Sequence, residues 1–191
     1  MKKLIIILLL FSGTAFGQTT AQLKFVYPGY TSYWNPKTLI PDSVIYIARP
    51  HKKSVGRLSS FAPIPNEPNQ DRDYKGSKYD QGHLCNASDE NGNQIDEANS
   101  FRQCNIFPQT PNDNRIVWEH LENYVRTLAA KYGSVKVKIY WHGVAGYLGI
   151  DKVTIPAYCD KEIWYGTMHE KYTIPNTNDV NKFDYDHYKV N

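Results

Sequence analysis

The stretch from Thr110 to Trp141 changes hydrophobic period once, and that switch limits the fold more than any other part of the chain. Thr110 is a helix-capping residue type and Pro111 suits a first turn. Apolar side chains then fall at Val117, Leu121, Tyr124, Val125 and Leu128, a helical spacing, and Gly133 is a usual helix stop. From Val135 the pattern becomes alternation. Val135, Val137, Ile139 and Trp141 interleave with Lys136, Lys138 and Tyr140, which predicts a strand with one face in solvent. Further strands are predicted over 43–48, between Pro41 and Pro50, and over 152–158 and 162–168, joined by a turn around Asp160. Residues 18–34 lack a clear period and read as an irregular arm, 59–78 and 86–100 read as long polar loops, and the tyrosine-rich tail from Asn176 reads as frayed. Strands, then a helix, then strands argue for an α+β fold.

The first residues are set apart from that domain. Lys2 and Lys3, the apolar run Leu4 to Phe11 and the small-residue site near Gly17 have the form of a signal peptide over 1–17. The run is too short for a stable membrane anchor, so the mature chain, 18–191, is expected to be exported as a single domain, secreted or periplasmic, and not membrane-bound. The formal net charge of +3 includes Lys2 and Lys3; the mature chain keeps 20 basic residues against 19 acidic ones. Global charge therefore gives no argument for a polyanionic partner, and any such affinity has to be local, as at Arg49, Lys52, Lys53 and Arg57. Three cysteines, Cys85, Cys104 and Cys159, allow one disulfide after export, in any of three pairings. No Cys-x-x-Cys pair suggests a metal site.

Two segments carry chemistry. The first is Asp80-Gln81-Gly82-His83, continuing through Cys85 and Asn86 to Asp89. A histidine behind a glycine lets backbone and substrate approach closely. The second runs from Asn105 through Pro108-Gln109, Asn112 and Asn114 to Trp118 and Glu122. On an α-helix, Asn114 and Glu122 lie about 80° apart around the axis and roughly 12 Å along it, so Glu122 reaches the neighbourhood of Asn114 more readily through a water than directly. Asp184-x-Asp186-His187 reads as solvated surface, and His142 as a residue at a strand end.

Together the two segments resemble the DNA/RNA non-specific endonucleases of the ββα-metal, His-Asn type. The first motif there is usually Asp-Arg-Gly-His, and the second runs Asn-x-x-Pro-Gln, Asn-x-Asn, Trp-x-x-x-Glu. Weaker similarity includes Asp73 to Ser77, Arg57-x-x-x-Phe61 and Ile155-Pro156, so that about residues 35–165 are covered. The resemblance implies a ββα-metal fold with a mostly antiparallel central sheet, and a sugar-nonspecific endonuclease acting on DNA and RNA to leave 5′-phosphates. It implies Mg²⁺ as cofactor, with Mn²⁺ able to replace it. His83 is then the general base, Asn114 the direct metal ligand, Glu122 a ligand through a metal-bound water, Asn105 a residue that fixes the geometry, and Arg57 a contact to phosphate; Arg115, beside Asn114, is expected to bind substrate as well. Histidine's usual pKa, near 6.5, suits a base above pH 7, and Mg²⁺ needs few protein ligands because it keeps several waters. A bridge between Cys85 and Cys104, favoured on the same resemblance, would tie the base segment to the metal helix. One position departs: Gln81 stands where Arg is usual. Either another cation (Arg57, Arg72 or Arg115) substitutes for it, or the chain is a weakened nuclease that binds nucleic acid without efficient turnover.

Overall fold

A computed structural model describes residues 22–50, 68–90 and 94–190. The predicted signal peptide, Lys52, Lys53 and Arg57 lie outside the described residues. Among the described residues the main sheet has seven strands, β1 (Leu23–Val26), β2 (Tyr30–Asn35), β3 (Ile40–Ala48), β6 (Val135–Leu148), β7 (Val153–Tyr165), β8 (Met168–Pro175) and β9 (Lys189–Val190), in that spatial order and all antiparallel. A separate two-stranded ribbon pairs β4 (Asp80–His83) with β5 (Ile106–Gln109). Short helices α1 (Asp71–Tyr74), α2 (Ala87–Glu90) and α3 (Gln94–Ser100) lie around the ribbon in sequence, and α4 (Glu119–Tyr132) is the longest helix among the described residues. No helix among the described residues is long and apolar enough to cross a membrane.

Alternation sets which face is core. Val135, Val137 and Ile139 of β6 are fully buried, with Val44, Tyr46 and Ala48 of β3, Ile163 of β7 and Ile174 of β8. Leu121, Val125, Leu128 and Ala129 of α4 close over that face. Gly133 ends α4 at φ 82°, and its N–H bonds to the Ala129 carbonyl at 2.8 Å. The opposite sheet face carries Lys136, Lys138 and Lys171, each over an aromatic ring, Trp164 or Tyr140.

Several expectations are corrected. The arm over 18–34 contains β1 and β2, where Tyr30, Ser32 and Trp34 are buried and alternate with Thr31 and Tyr33. The polar loop 86–100 holds α2 and α3, and the loop before β4 holds α1. No turn occurs at Asp160. β7 runs straight through it, because its buried carboxylate is met by Thr173 Oγ1 at 2.6 Å and by His142 Nδ1 at 2.5 Å on the neighbouring strands. His142 is thus inside β6 rather than at its end. The tail is docked: Asn176 Nδ2 donates to the carbonyls of Pro108 and Pro156 at 2.9 and 3.0 Å, and Asn176 Oδ1 accepts from Thr110 N at 2.7 Å. Thr110 does not cap the helix. Its hydroxyl is buried without a partner, and the helix opens through Asp113–Trp118 as a wider π-turn. Such turns are uncommon and concentrate at functional sites.

Candidate active site

The ribbon and the helix that follows it form one ββα unit, and the two sequence motifs lie on it. β4 is the first motif: Asp80 pairs with Gln109, Gln81 with Pro108, Gly82 with Phe107 and His83 with Ile106. Gly82 is required by space. A Cβ there would stand 1.9 Å from Gln109 Oε1. Gln109 is fully buried and cannot swing clear, since its Nε2 donates to Asp113 Oδ2 at 3.0 Å. The half-buried His83 ring meets Phe101 edge-on, 4.8 Å between centroids.

Asn105 locks the end of that strand. It is fully buried, its Oδ1 accepts from Cys85 N at 2.7 Å, and its Nδ2 donates to the carbonyls of Cys85 and Ser100, both at 2.8 Å. The connection expected of a Cys85–Cys104 bridge is therefore made by an amide. Cys104 Sγ itself lies 3.8 and 3.9 Å from the Tyr27 and Tyr30 hydroxyls, and all three cysteines are buried.

Asn114 sits in the π-turn. Its Nδ2 donates to Asp80 Oδ2 at 3.0 Å. A carboxylate only accepts, so the amide nitrogen must face Asp80 and Oδ1 is turned the other way. Arg115 grips the same carboxylate, Nε to Oδ2 at 2.7 Å and Nη2 to Oδ1 at 2.6 Å. Gln81 is held at both ends: its Oε1 accepts from Gln103 Nε2 and its Nε2 donates to Asp71 Oδ1, both at 2.8 Å. Arg72 is engaged elsewhere, with Nη2 2.5 and 2.6 Å from the two oxygens of Asp151 beyond the end of β6.

Glu122 projects from α4 toward the segment after His83, where Asn86 Nδ2 donates to its Oε2 at 2.7 Å. Burial pushes the Glu122 carboxyl up and the ammonium of Lys161 pulls it back. Lys161 is fully buried over the Trp118 ring, 4.0 Å from its centroid, and burial lowers its pKa. Asp113, beside Asn114, is pushed up to about 7 by burial, against hydrogen bonds from Gln109 and Cys159 and the charge of Lys161. Asp80, Asn86, Asp113 and Lys161 are the site residues that motif reading misses. Asp80 and Asn86 stand inside the first segment, so the segment itself was their signal. Lys161 has none, as it falls in the stretch that reads as a turn around Asp160.

Among the described residues no three His, Cys, Asp or Glu side chains are gathered as a metal cage. The donors present are of another kind: an outward-turned amide oxygen on Asn114 and the carboxylate of Glu122, hard oxygens that suit a cation keeping most of its own waters.

The sequence model of the DNA/RNA non-specific endonuclease family matches residues 16–191. A nuclease of Nostoc sp. is 36% identical over 83 residues, covering 44% of this chain and 30% of that protein. Mitochondrial endonuclease G of Caenorhabditis elegans is 28% identical over 164 residues, 83% of this chain and 47% of that protein. The matched stretches span less than half the length of these relatives. A crystal structure of the EndoG/EndoGI complex superposes with a TM-score of 0.78 at 22% identity, covering 88% of this chain and 80% of that one, and shares the fold. With an α+β fold and both motifs on one ββα unit, the chain belongs to the DNA/RNA non-specific endonucleases.

Proposed function

We propose that this protein is an exported endonuclease that hydrolyses phosphodiester bonds of DNA and RNA without sequence or sugar specificity, with His83 as general base and Mg²⁺ held by Asn114. The observation that supports it most is the convergence of the two motifs on the β4–β5–helix unit, with Asn114 oriented by Asp80 and Glu122 by Asn86. His83 accepts the proton of the attacking water. The backbone at Gly82 stays bare, and Asn105 fixes the turn that follows His83. Asn114 Oδ1 and Glu122 are the residues that would hold the ion, Asn114 directly and Glu122 through its hydration shell. When bound, a divalent ion polarises the phosphate and stabilises charge on the leaving oxygen. The chain contacts phosphate and sugar more than base edges, which accounts for broad substrate acceptance. Residues 1–17 direct export and are removed.

The test is cleavage of supercoiled DNA, single-stranded DNA and RNA with Mg²⁺, Mn²⁺ or EDTA. Turnover is expected with either ion, is abolished by EDTA, and falls by about 10²-fold or more in His83→Ala. Undiminished cleavage by His83→Ala would remove the assignment. Nucleic-acid binding that weakens with salt but gives no turnover in the parent protein would support the binding-only reading instead.

A further inference from the structure

The site must offer positive charge to a phosphate, and position 81 offers none. Gln81 is neutral, and both ends of its amide are taken by Gln103 and Asp71. Arg72 pairs with Asp151 beyond the end of β6, and Arg126 lies farther along α4 with Asp89 and Asn123 as its partners. Arg115 differs from these in its place: it follows Asn114 directly, and Asp80 Oδ2 accepts from both residues, so guanidinium and amide share one anchor. Its side chain stays exposed on that anchor.

An ordinary exposed Arg–Asp pair stabilises a fold by only about 0–1 kcal/mol and orients nothing. Here the fork uses the Nε and Nη2 edge of the guanidinium. That fixes the plane and leaves Nη1 with both of its hydrogens for another acceptor.

We propose that Arg115, held by Asp80, is a phosphate-contacting cation of this site, supplying from the helix charge that Gln81 does not supply from the strand. This deepens the nuclease reading and rests on it for the identity of the ligand, a nucleic-acid phosphate. Binding and turnover are measured separately so that the two can fail separately.

Binding of a short fluorescein-labelled single-stranded DNA is followed by anisotropy across a salt series in His83→Ala, with and without Arg115→Gln. The added change is expected to weaken binding about tenfold and to make the log–log salt slope shallower by about 0.7, one phosphate contact on a single strand. In the catalytically intact protein, Arg115→Gln should lower kcat/KM by about 10²-fold. Arg115→Lys should recover part of that loss, and Gln81→Arg added to Arg115→Gln should recover more. Thermal melts run alongside. Binding and salt slope unchanged by Arg115→Gln would overturn the proposal, as would a loss that follows melting temperature and is restored by neither second change. Should the parent protein not cleave at all, the binding series still decides the role of Arg115 while the nuclease reading falls.

Discussion

A carboxyl group with almost no access to water sits one residue before Asn114, and it makes the stability of this protein depend on pH in a defined direction. Asp113 has a folded-state pKa of about 7, whereas a solvated aspartate titrates near 3.9. Between roughly pH 4 and 7 the folded chain keeps a proton that the unfolded chain releases, so stability falls as pH rises through that window. Asp113→Asn keeps an acceptor for Gln109 and removes the titration. It should be the more stable protein near pH 8, by on the order of a few kcal/mol, with the gap closing toward about pH 4. Urea midpoints at both ends of the range check this, and parallel curves for the two proteins would refute it. At this scale the sequence discloses the chemistry-bearing residues more readily than their partners. His83, Asn114 and Glu122 stand in motifs, and the fold brings their segments together. That Asp80 serves both Asn114 and Arg115 depends on the ribbon lying against the π-turn, a non-local fact. Lys161 is hidden because the phase of β7 turns Cys159, Lys161 and Ile163 inward together, and that phase is lost to a reader who takes Asp160 for a turn.

The ribbon β4–β5 holds the first motif in place, and Gly82 is its most constrained position. The Cβ of alanine would also lie 2.6 Å from Gln109 Cδ. Gly82→Ala is expected to cost about 1–3 kcal/mol, the usual range for overpacking a dense interior. Cleavage should be lost beyond what the drop in folded fraction explains, because the strand that carries His83 must shift. Chemical denaturation and single-turnover rates on the same samples test both parts, and a variant of parental stability and rate would show that the contact relaxes freely. Elements were legible where period was strong, as in α4 and the first half of β6. They were illegible where side-chain partners override local signals. Asp160 looks like a turn residue and is instead a buried cross-strand acceptor, while the true reversal falls at Gly166, with φ 54°. The π-turn is equally invisible, since its residues are compatible with an ordinary helix.

At the scale of the whole molecule, residues 176–190 act as a fastening. Asn112 Nδ2 donates to the Asn178 carbonyl at 2.6 Å, Tyr185 stacks on Tyr124 at 5.3 Å between centroids, and Lys189 Nζ reaches Glu170 Oε1 at 2.7 Å. A chain ending at Asn178 loses the last two, the buried Val180 and the Asp184 partner of His120 on α4, so its melting temperature should fall by about 5–10 °C while the β4–β5 pairing itself is kept. An unchanged melt would show that the tail is not integral to the fold. The tail reads as frayed because it is polar, yet Tyr185 and Asn176 are bound by groups far back in the sequence. The same tail also governs how the molecule meets its neighbours. The sheet finishes in its shortest strands, four residues in β1 and two in β9, and strands so short offer little open backbone for another chain to add to. Removing the tail frees the β8 backbone at Lys171 and Tyr172, the two residues that β9 pairs, so the trimmed protein would be liable to aggregate edge to edge as well as to melt early.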